Sequence, residues 1–425
     1  MNYQVMAAEQ ESYAIEMRRY FHRHPEVSGK EEKTVERICQ ELKQYDIPYV
    51  NVPNGGVFAF LGEESRGRTV LLRADIDALP GKESPINAGG FPKVVVSEDD
   101  TAAHVCGHDA HIAMLLGAAR ALKKVENNIP GRVILMFERG EEGGGNIAWL
   151  LKYAFEQHWS VDSSFGMHIF PDIPAGKASV VDGPAMAGSL SFSVKIFGKT
   201  CHGAQPNNGT SPIECFSSIY DTLKSMRMLY ANPYDPMVFS LGQVHAGTAN
   251  NIIPGELTFG GTFRVNNTDD AERIKAQLIK TFDHTAIIYN CQVEYSISGP
   301  SMALRNDHIC AVFASRTLSD AFGSGVMEEG HSRMGGESFG ITSAIWPGVF
   351  LFMGCGNQET GMTAKNHSDC FEPDESVFKL GMTAHIAYAM EFLKDGPETE
   401  SRAFRGDLKE FFQKYSPASL VAFED

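Results

Sequence analysis

The strongest constraint on the fold of this chain is a change of rhythm near residue 186. Before it, helix and strand patterns alternate. Residues 9–21 and 31–45 read as helices, the second with Val35, Ile38 and Leu42 on one face. Residues 57–61 and 69–73 are short apolar runs, 110–123 reads as a helix, and 132–137 (RVILMF) reads as a fully buried strand. Residues 166–169 look like the end of another strand. This alternation predicts an α/β fold, a mixed sheet flanked by helices, with ligands gathering beyond the strand C-termini. From Leu190 the order becomes β-α-β-β-α-β: strands at 190–197, 237–244, 252–264 and Gln292–Ser298, helices at 212–229 and 270–285. That order predicts a compact ferredoxin-like α+β module with an antiparallel sheet. After Gly299 the alternation resumes, with helices at 307–322 and 375–393 around a strand at 349–353. We therefore expect residues 1–185 and 299–425 to form one α/β domain and residues 186–298 to be an insertion into it. The tail after Asp395 is polar, then amphipathic.

The densest chemistry lies in HVCGHDAH, residues 104–111. Cys106 and His108 are separated only by Gly107, so a thiolate and an imidazole can converge on one metal ion. Asp109 and His111 follow as candidates to orient those ligands. The cluster sits where a helix begins, and the free N–H groups there favour a thiolate and carboxylates. The same spacing also fits a buried cysteine beside surface histidines.

Composition narrows the function classes. The chain has 425 residues, 43% hydrophobic and 21% charged, with a formal net charge of −16 and no basic stretch. That argues against nucleic acid or an anionic membrane surface as partner. No segment approaches the roughly 18 apolar residues of a membrane span, and the N-terminus reads as an amphipathic helix rather than a signal peptide. The 8 cysteines are scattered without a C-x-x-C pair. Reduced thiols in a cytoplasmic protein are the expectation.

Four further loops carry metal-type residues: LLRADIDALP (71–80) with Asp75 and Asp77, FERGEEGGG (137–145) with Glu141 and Glu142, FGMHIFP (165–171) with His168, and KNHSDCFEPDE (365–375) with His367. Singly, such residues are most often caps, solvated acids or satisfied imidazoles. Five such loops in one α/β chain point to a site. Together with FHRHPEVSGKEEKT (21–34), CGHDAHIAMLLGAA (106–119), GMHIFPDIPAG (166–176), GKTCHGAQP (198–206), GTANNIIP (247–254), GTFR (261–264), MGGESF (334–339) and NHS (366–368), they make the chain resemble a known family. It resembles the metal-dependent aminoacylase/carboxypeptidase amidohydrolases, which include hippurate hydrolase, indole-acetyl-amino-acid hydrolases and N-acetyldiaminopimelate deacetylase.

The resemblance implies two divalent transition-metal ions, Mn²⁺, Zn²⁺, Co²⁺ or Ni²⁺, held by Cys106, His108, Glu142, His168 and His367. Cys106 would bridge them. Glu141 matches the general base and Asp77 the carboxylate that orients a ligand imidazole. The inserted module resembles a lid that also serves dimerisation, with His202 binding the amide oxygen and Asn251 and Arg264 holding substrate. Two departures from the family pattern stand out. Glu138-Arg139-Gly140 replaces the usual Gln-Pro-Ala, and Ser338 replaces a common Asp. Both touch the pocket rather than the metal set. Arg139 lies two residues before Glu141, so its guanidinium is expected at the pocket mouth, clamping a substrate carboxylate, or else in an ion pair with Glu138 or another acid. The expected activity is hydrolysis of an amide C–N bond in an N-acyl amino acid or similar small molecule by a homodimer or higher oligomer. The alternatives are hydrolysis of another C–N bond, such as that of an aromatic amine, and an inactive binding protein on the same scaffold.

Overall fold

The computed structural model describes residues 1–143, 145–230, 232 and 234–424, without the side chains of Arg227 and Ser401. Eight strands form the large sheet: β1 (Tyr49–Val52), β2 (Gly56–Gly62), β3 (Thr69–Asp75), β4 (Arg132–Glu138), β5 (Ser163–Pro174), β6 (Ala178–Val180), β11 (Met327–Glu329) and β12 (Gly348–Gly356). Four more, β7 (Gly188–Phe197), β8 (Met237–Ala246), β9 (Glu256–Val265) and β10 (Gln292–Ser298), form a second sheet. The large sheet runs β1-β2-β4-β3-β5-β12-β6-β11. Its centre, β4-β3-β5-β12, is parallel, while β2 and β6 join antiparallel. The sheet is therefore mixed, as the alternation predicts.

The buried strand shows why. Val133, Leu135 and Phe137 of β4 face one apolar layer with α4 (His108–Lys124) and α10 (Phe378–Asp395). Ile134 and Met136 face the other, with α5 (Ile147–Glu156), Trp346 and the C-terminal helix α11 (Leu408–Tyr415). A strand covered on both faces loses the polar alternation of a half-exposed one. Burying each such large side chain contributes about 1.5–3 kcal/mol. The amphipathic tail packs here: Leu408, Phe411 and Phe412 are buried.

The second sheet has the order β8-β9-β7-β10, wholly antiparallel. Helices α6 (Pro212–Tyr230) and α7 (Thr268–Ile288) cover one of its faces, and a separate apolar cluster including Phe192, Phe259, Phe263 and Phe282 lies between. Among the described residues β8 pairs only with β9, which leaves its other edge open.

Three elements differ from the sequence reading. The amphipathic N-terminus divides into α1 (Tyr3–Ala8) and α2 (Glu11–Arg23), the second being the helix expected over 9–21. The strand expected over 252–264 breaks at Pro254-Gly255. Ile252–Ile253 pairs instead with Cys201–His202, and β9 starts at Glu256. The strand end at 166–169 is the middle of the 12-residue β5.

Candidate metal centre

The site lies beyond the C-terminal ends of β3 and β4, where Asp75 and Glu138 are register partners. Asp77 follows β3. Glu141 and Glu142 follow β4 in a turn that includes Gly143, while Gly144 lies outside the described residues. His168 sits within β5 beside Phe352 of β12. Cys106 and His108 enter from the start of α4. Between them Gly107 has φ +103°, in the left-handed region, and a Cβ there would meet Ile169 Cδ1 at 2.7 Å. Glycine is what lets thiol and imidazole turn to the same side. His367 arrives on the loop after β12. Its amide donates to the Val105 carbonyl at 2.7 Å, and Asn366 Nδ2 donates to the Cys106 carbonyl at 2.8 Å.

All five expected ligands converge. Cys106 Sγ is 3.3 Å from His168 Nε2 and 3.3 Å from His367 Nε2. Glu142 Oε1 is 3.2 Å from His367 Nε2 and 3.9 Å from His108 Nε2. Donor atoms of Cys106, His108 and His168 lie within 4.8 Å of one another, and so do those of Cys106, Glu142 and His367. The two triads share the sulfur. A third group joins His108 and Glu142 to Glu141.

The hydrogen bonds fix which atoms face inward. His108 Nδ1 donates to Asp77, to its carbonyl at 2.9 Å and its Oδ1 at 3.0 Å. His168 Nδ1 donates to the Ile169 carbonyl at 2.8 Å. Both Nε2 atoms therefore present lone pairs to a sulfur and a carboxylate. His108 Nε2 is buried without a hydrogen-bond partner among the described residues, and Glu142 Oε1 faces it at 3.9 Å. Facing lone pairs in a dry cleft are costly unless a cation lies between them. The set of one thiolate, three imidazoles and one carboxylate suits borderline divalent transition metals. The residues present thus fit two metal ions.

Burial opposes a charge on His108, but Asp75 and the Cys106 sulfur outweigh it and hold the imidazole well above its ordinary value, so a bound cation would take the place of a proton at Nε2. Burial pushes the Cys106 thiol well above its ordinary value, and a metal-held thiolate needs a cation to reverse that. Burial, then the Glu337 charge, push the Glu141 carboxyl well above the usual range. Burial opposes ionisation of Asp77, but His108 outweighs it and holds the carboxyl below its ordinary value.

Other expected residues stand elsewhere. Arg139 does not open onto the pocket. Its Nε donates to Glu31 Oε2 at 2.8 Å and its Nη2 to Glu32 Oε1 at 2.8 Å. This is the ion-pair alternative, with Glu31 and Glu32 as partners rather than Glu138. Asp109 faces away from Cys106, bound by Arg18 at 2.9 Å and His22 at 2.8 Å. His111 Nδ1 donates to Asp75 Oδ1 at 2.6 Å, a carboxylate outside the expected ligand set. His202 is exposed in the second module, where its Nδ1 accepts the Ala204 amide proton at 3.1 Å. Asn251 is exposed nearby. Arg264, at half burial on β9, reaches the Met334 carbonyl at 3.3 Å.

The sequence reading missed a buried group around Arg73: Asp75, Glu138, Glu337 and Ser338. The signal was available, because Arg73 and Asp75 are alternate residues of one strand and must share a face.

Three comparisons bear on identity. The family model described as Peptidase family M20/M25/M40 matches residues 71–391. The chain is 31% identical to the Arabidopsis thaliana IAA-amino acid hydrolase ILR1-like 4, over 90% of this chain and 86% of that one. It is also 31% identical to the Bacillus subtilis N-acetylcysteine deacetylase, over 86% of this chain and 93% of that one. Among solved structures, a Bacillus subtilis dinuclear metal binding peptidase from the M20 family superposes with a TM-score of 0.74 at 28% identity, covering 91% of this chain and 99% of that one. The chain belongs to peptidase family M20/M25/M40 and is an enzyme of its metal-dependent amidohydrolase kind.

Proposed function

We propose that the protein hydrolyses the amide C–N bond of an N-acyl amino acid or a similar small molecule. Two divalent transition-metal ions would assist, Mn²⁺, Zn²⁺, Co²⁺ or Ni²⁺. Cys106, Glu142 and His367 would hold one ion, and Cys106, His108 and His168 the other. The observation that carries this reading is the pair of ligand triads sharing Cys106, with His108 Nε2 turned into the cleft without a hydrogen-bond partner among the described residues. When bound, such ions acidify water and polarise a carbonyl.

The chain's own residues supply the rest. Asp77 accepts from His108 Nδ1 and from the Glu142 amide at 2.9 Å, so one carboxylate orients two ligands. Glu141 has Oε1 held by the Ser338 amide at 3.1 Å. Its other oxygen is free to take a proton from the attacking water and pass it to the leaving nitrogen. His202 is assigned to the amide oxygen, where negative charge develops. Asn251 and Arg264 hold the substrate. Residues 186–298 serve as lid and dimerisation module on the α/β domain of residues 1–185 and 299–425, in a homodimer or higher oligomer. Among the described residues no helix is long and apolar enough to cross a membrane. The free thiols suit a cytoplasmic protein.

Cleavage of another C–N bond would draw its support from the unusual residues 138–140. Glu138 and Arg139 are both committed to internal partners, so no observation favours it. The test supplies metal-free protein with each ion in turn and offers N-acyl amino acids and arylamines. Metal-dependent release of primary amine from the former is expected. Ammonia from arylamines, with no cleavage of acyl amino acids, would overturn the proposal.

A further inference from the structure

Beside the cleft lies a set of buried charges with no place among the ligands. Arg73, Asp75, Glu138 and Glu337 have side chains at most 2% exposed. Arg73 uses its whole fork. Nε donates to Glu138 Oε2 at 2.7 Å, Nη1 to Asp75 Oδ2 at 2.9 Å, and Nη2 to Ser338 Oγ at 2.7 Å, with Glu337 Oε1 3.1 Å away. Ser338 Oγ donates in turn to Glu138 Oε1 at 2.7 Å. A hydroxyl can accept one such bond and donate the other. Here both are charge-assisted, and therefore strong. The Ser338 side chain is clamped between a cation and an anion, which fixes its backbone. Its amide N–H points at Glu141 Oε1, 3.1 Å away.

The terminal torsion of a glutamate is broad, so a carboxylate held by nothing does not present a chosen oxygen. We propose that Ser338, clamped by Glu138 and Arg73, is the positioning residue for Glu141. It ties Oε1 and leaves the second oxygen to face the reacting water. The inference rests on the reading of Glu141 as general base. It also gives Glu138 a task. The carboxylate standing just before the Glu141-Glu142 pair does not meet the substrate; it holds the serine that holds the base. Through Asp75, which accepts from His111 Nδ1, the same guanidinium reaches the imidazole side of the site.

The arrangement has a charge rule that a packing contact lacks. The Glu138–Ser338 pair carries one negative charge. Ser338→Asp would set a second carboxylate against Glu138 at hydrogen-bond distance. Adding Glu138→Gln restores one charge, because the amide can donate to the new carboxylate while its oxygen accepts from Arg73.

The test measures kcat, KM, bound metal and the melting temperature of metal-free protein for S338A, S338D and the double variant E138Q/S338D. Wild type and Glu141→Gln run alongside. S338A is expected to lose about ten- to a hundredfold in kcat, the scale of a misplaced reacting group, with KM and metal content near wild type. S338D should lose more, and E138Q/S338D should recover at least about tenfold of that loss. Wild-type kcat in S338A, or a double variant no better than S338D, overturns the inference. So does a loss that follows metal content or melting temperature instead of kcat. If wild type cleaves no acyl amino acid, or Glu141→Gln stays active, the reading of the base falls first and this inference falls with it.

Discussion

At the residue scale the site is a problem of facing lone pairs. Nδ1–H of His108 and of His168 are occupied by oxygen acceptors, so both Nε2 atoms turn an electron pair toward Cys106 and Glu142. Adjacent Glu141 and Glu142 then divide the labour by what touches them. Glu142 meets His367 and has its amide pinned by Asp77, whereas Glu141 meets the Ser338 amide. They should fail differently. Glu141→Gln is expected to keep its metal and substrate affinity but lose roughly two or more orders of magnitude in kcat. Glu142→Gln should first weaken metal binding, by at least about tenfold. Metal titration and steady-state kinetics on both variants separate the roles, and equal metal content in the two would contradict the assignment. The five candidate ligands were legible in the sequence through the family resemblance of their segments, because singly a thiol, an imidazole or a carboxylate of this kind is most often a cap, a solvated acid or a satisfied ring. The Arg73 group was not, because its partners are strand-end and loop residues up to 265 positions apart, which only the sheet brings together.

At the element scale, residue 139 shows where spacing misleads. Arg139 sits just past the end of β4 and two residues before Glu141, which suggests the pocket. The Arg139 amide is held by the Gly55 carbonyl at 3.1 Å, and the side chain runs to the start of α3 (Glu32–Gln44). There Glu31 is fully buried, accepts also from the Gly140 amide at 2.8 Å, and needs a cation. Burial pushes its carboxyl up, and Arg139 works against that. Arg139→Ala should therefore destabilise the fold by about 2–3 kcal/mol. It should lower the melting temperature while leaving KM equal for charged and neutral substrates. A selective rise of KM for carboxylate-bearing substrates, without loss of stability, would restore the clamp role. The alternation of strands and helices was readable because β4 carries its apolar residues on both faces. The break at Pro254-Gly255 has its own signal, since proline and glycine together end strands.

At the scale of the whole molecule, the order of elements foretold both sheets, because a switch from βα alternation to β-α-β-β-α-β leaves few topologies. What the second module does for the site was not readable from pattern. The His202 side chain is exposed and bonds only locally among the described residues, and β8 offers an unpaired edge. Both suit a residue completed by another copy. Mixing inactive His202→Ala with inactive Glu141→Gln should regain activity, since one hybrid site is intact. Silence in verified heterodimers would place His202 within its own chain or outside catalysis.

The account stands most directly on Cys106, the sulfur common to both triads. The decisive measurement is metal stoichiometry per chain, by elemental analysis of reconstituted wild type and Cys106→Ala, with turnover read on the same samples. The account predicts two ions and metal-dependent hydrolysis in the wild type, and joint loss of metal and activity in the variant. A Cys106→Ala protein that binds two ions and turns over at the wild-type rate would contradict it.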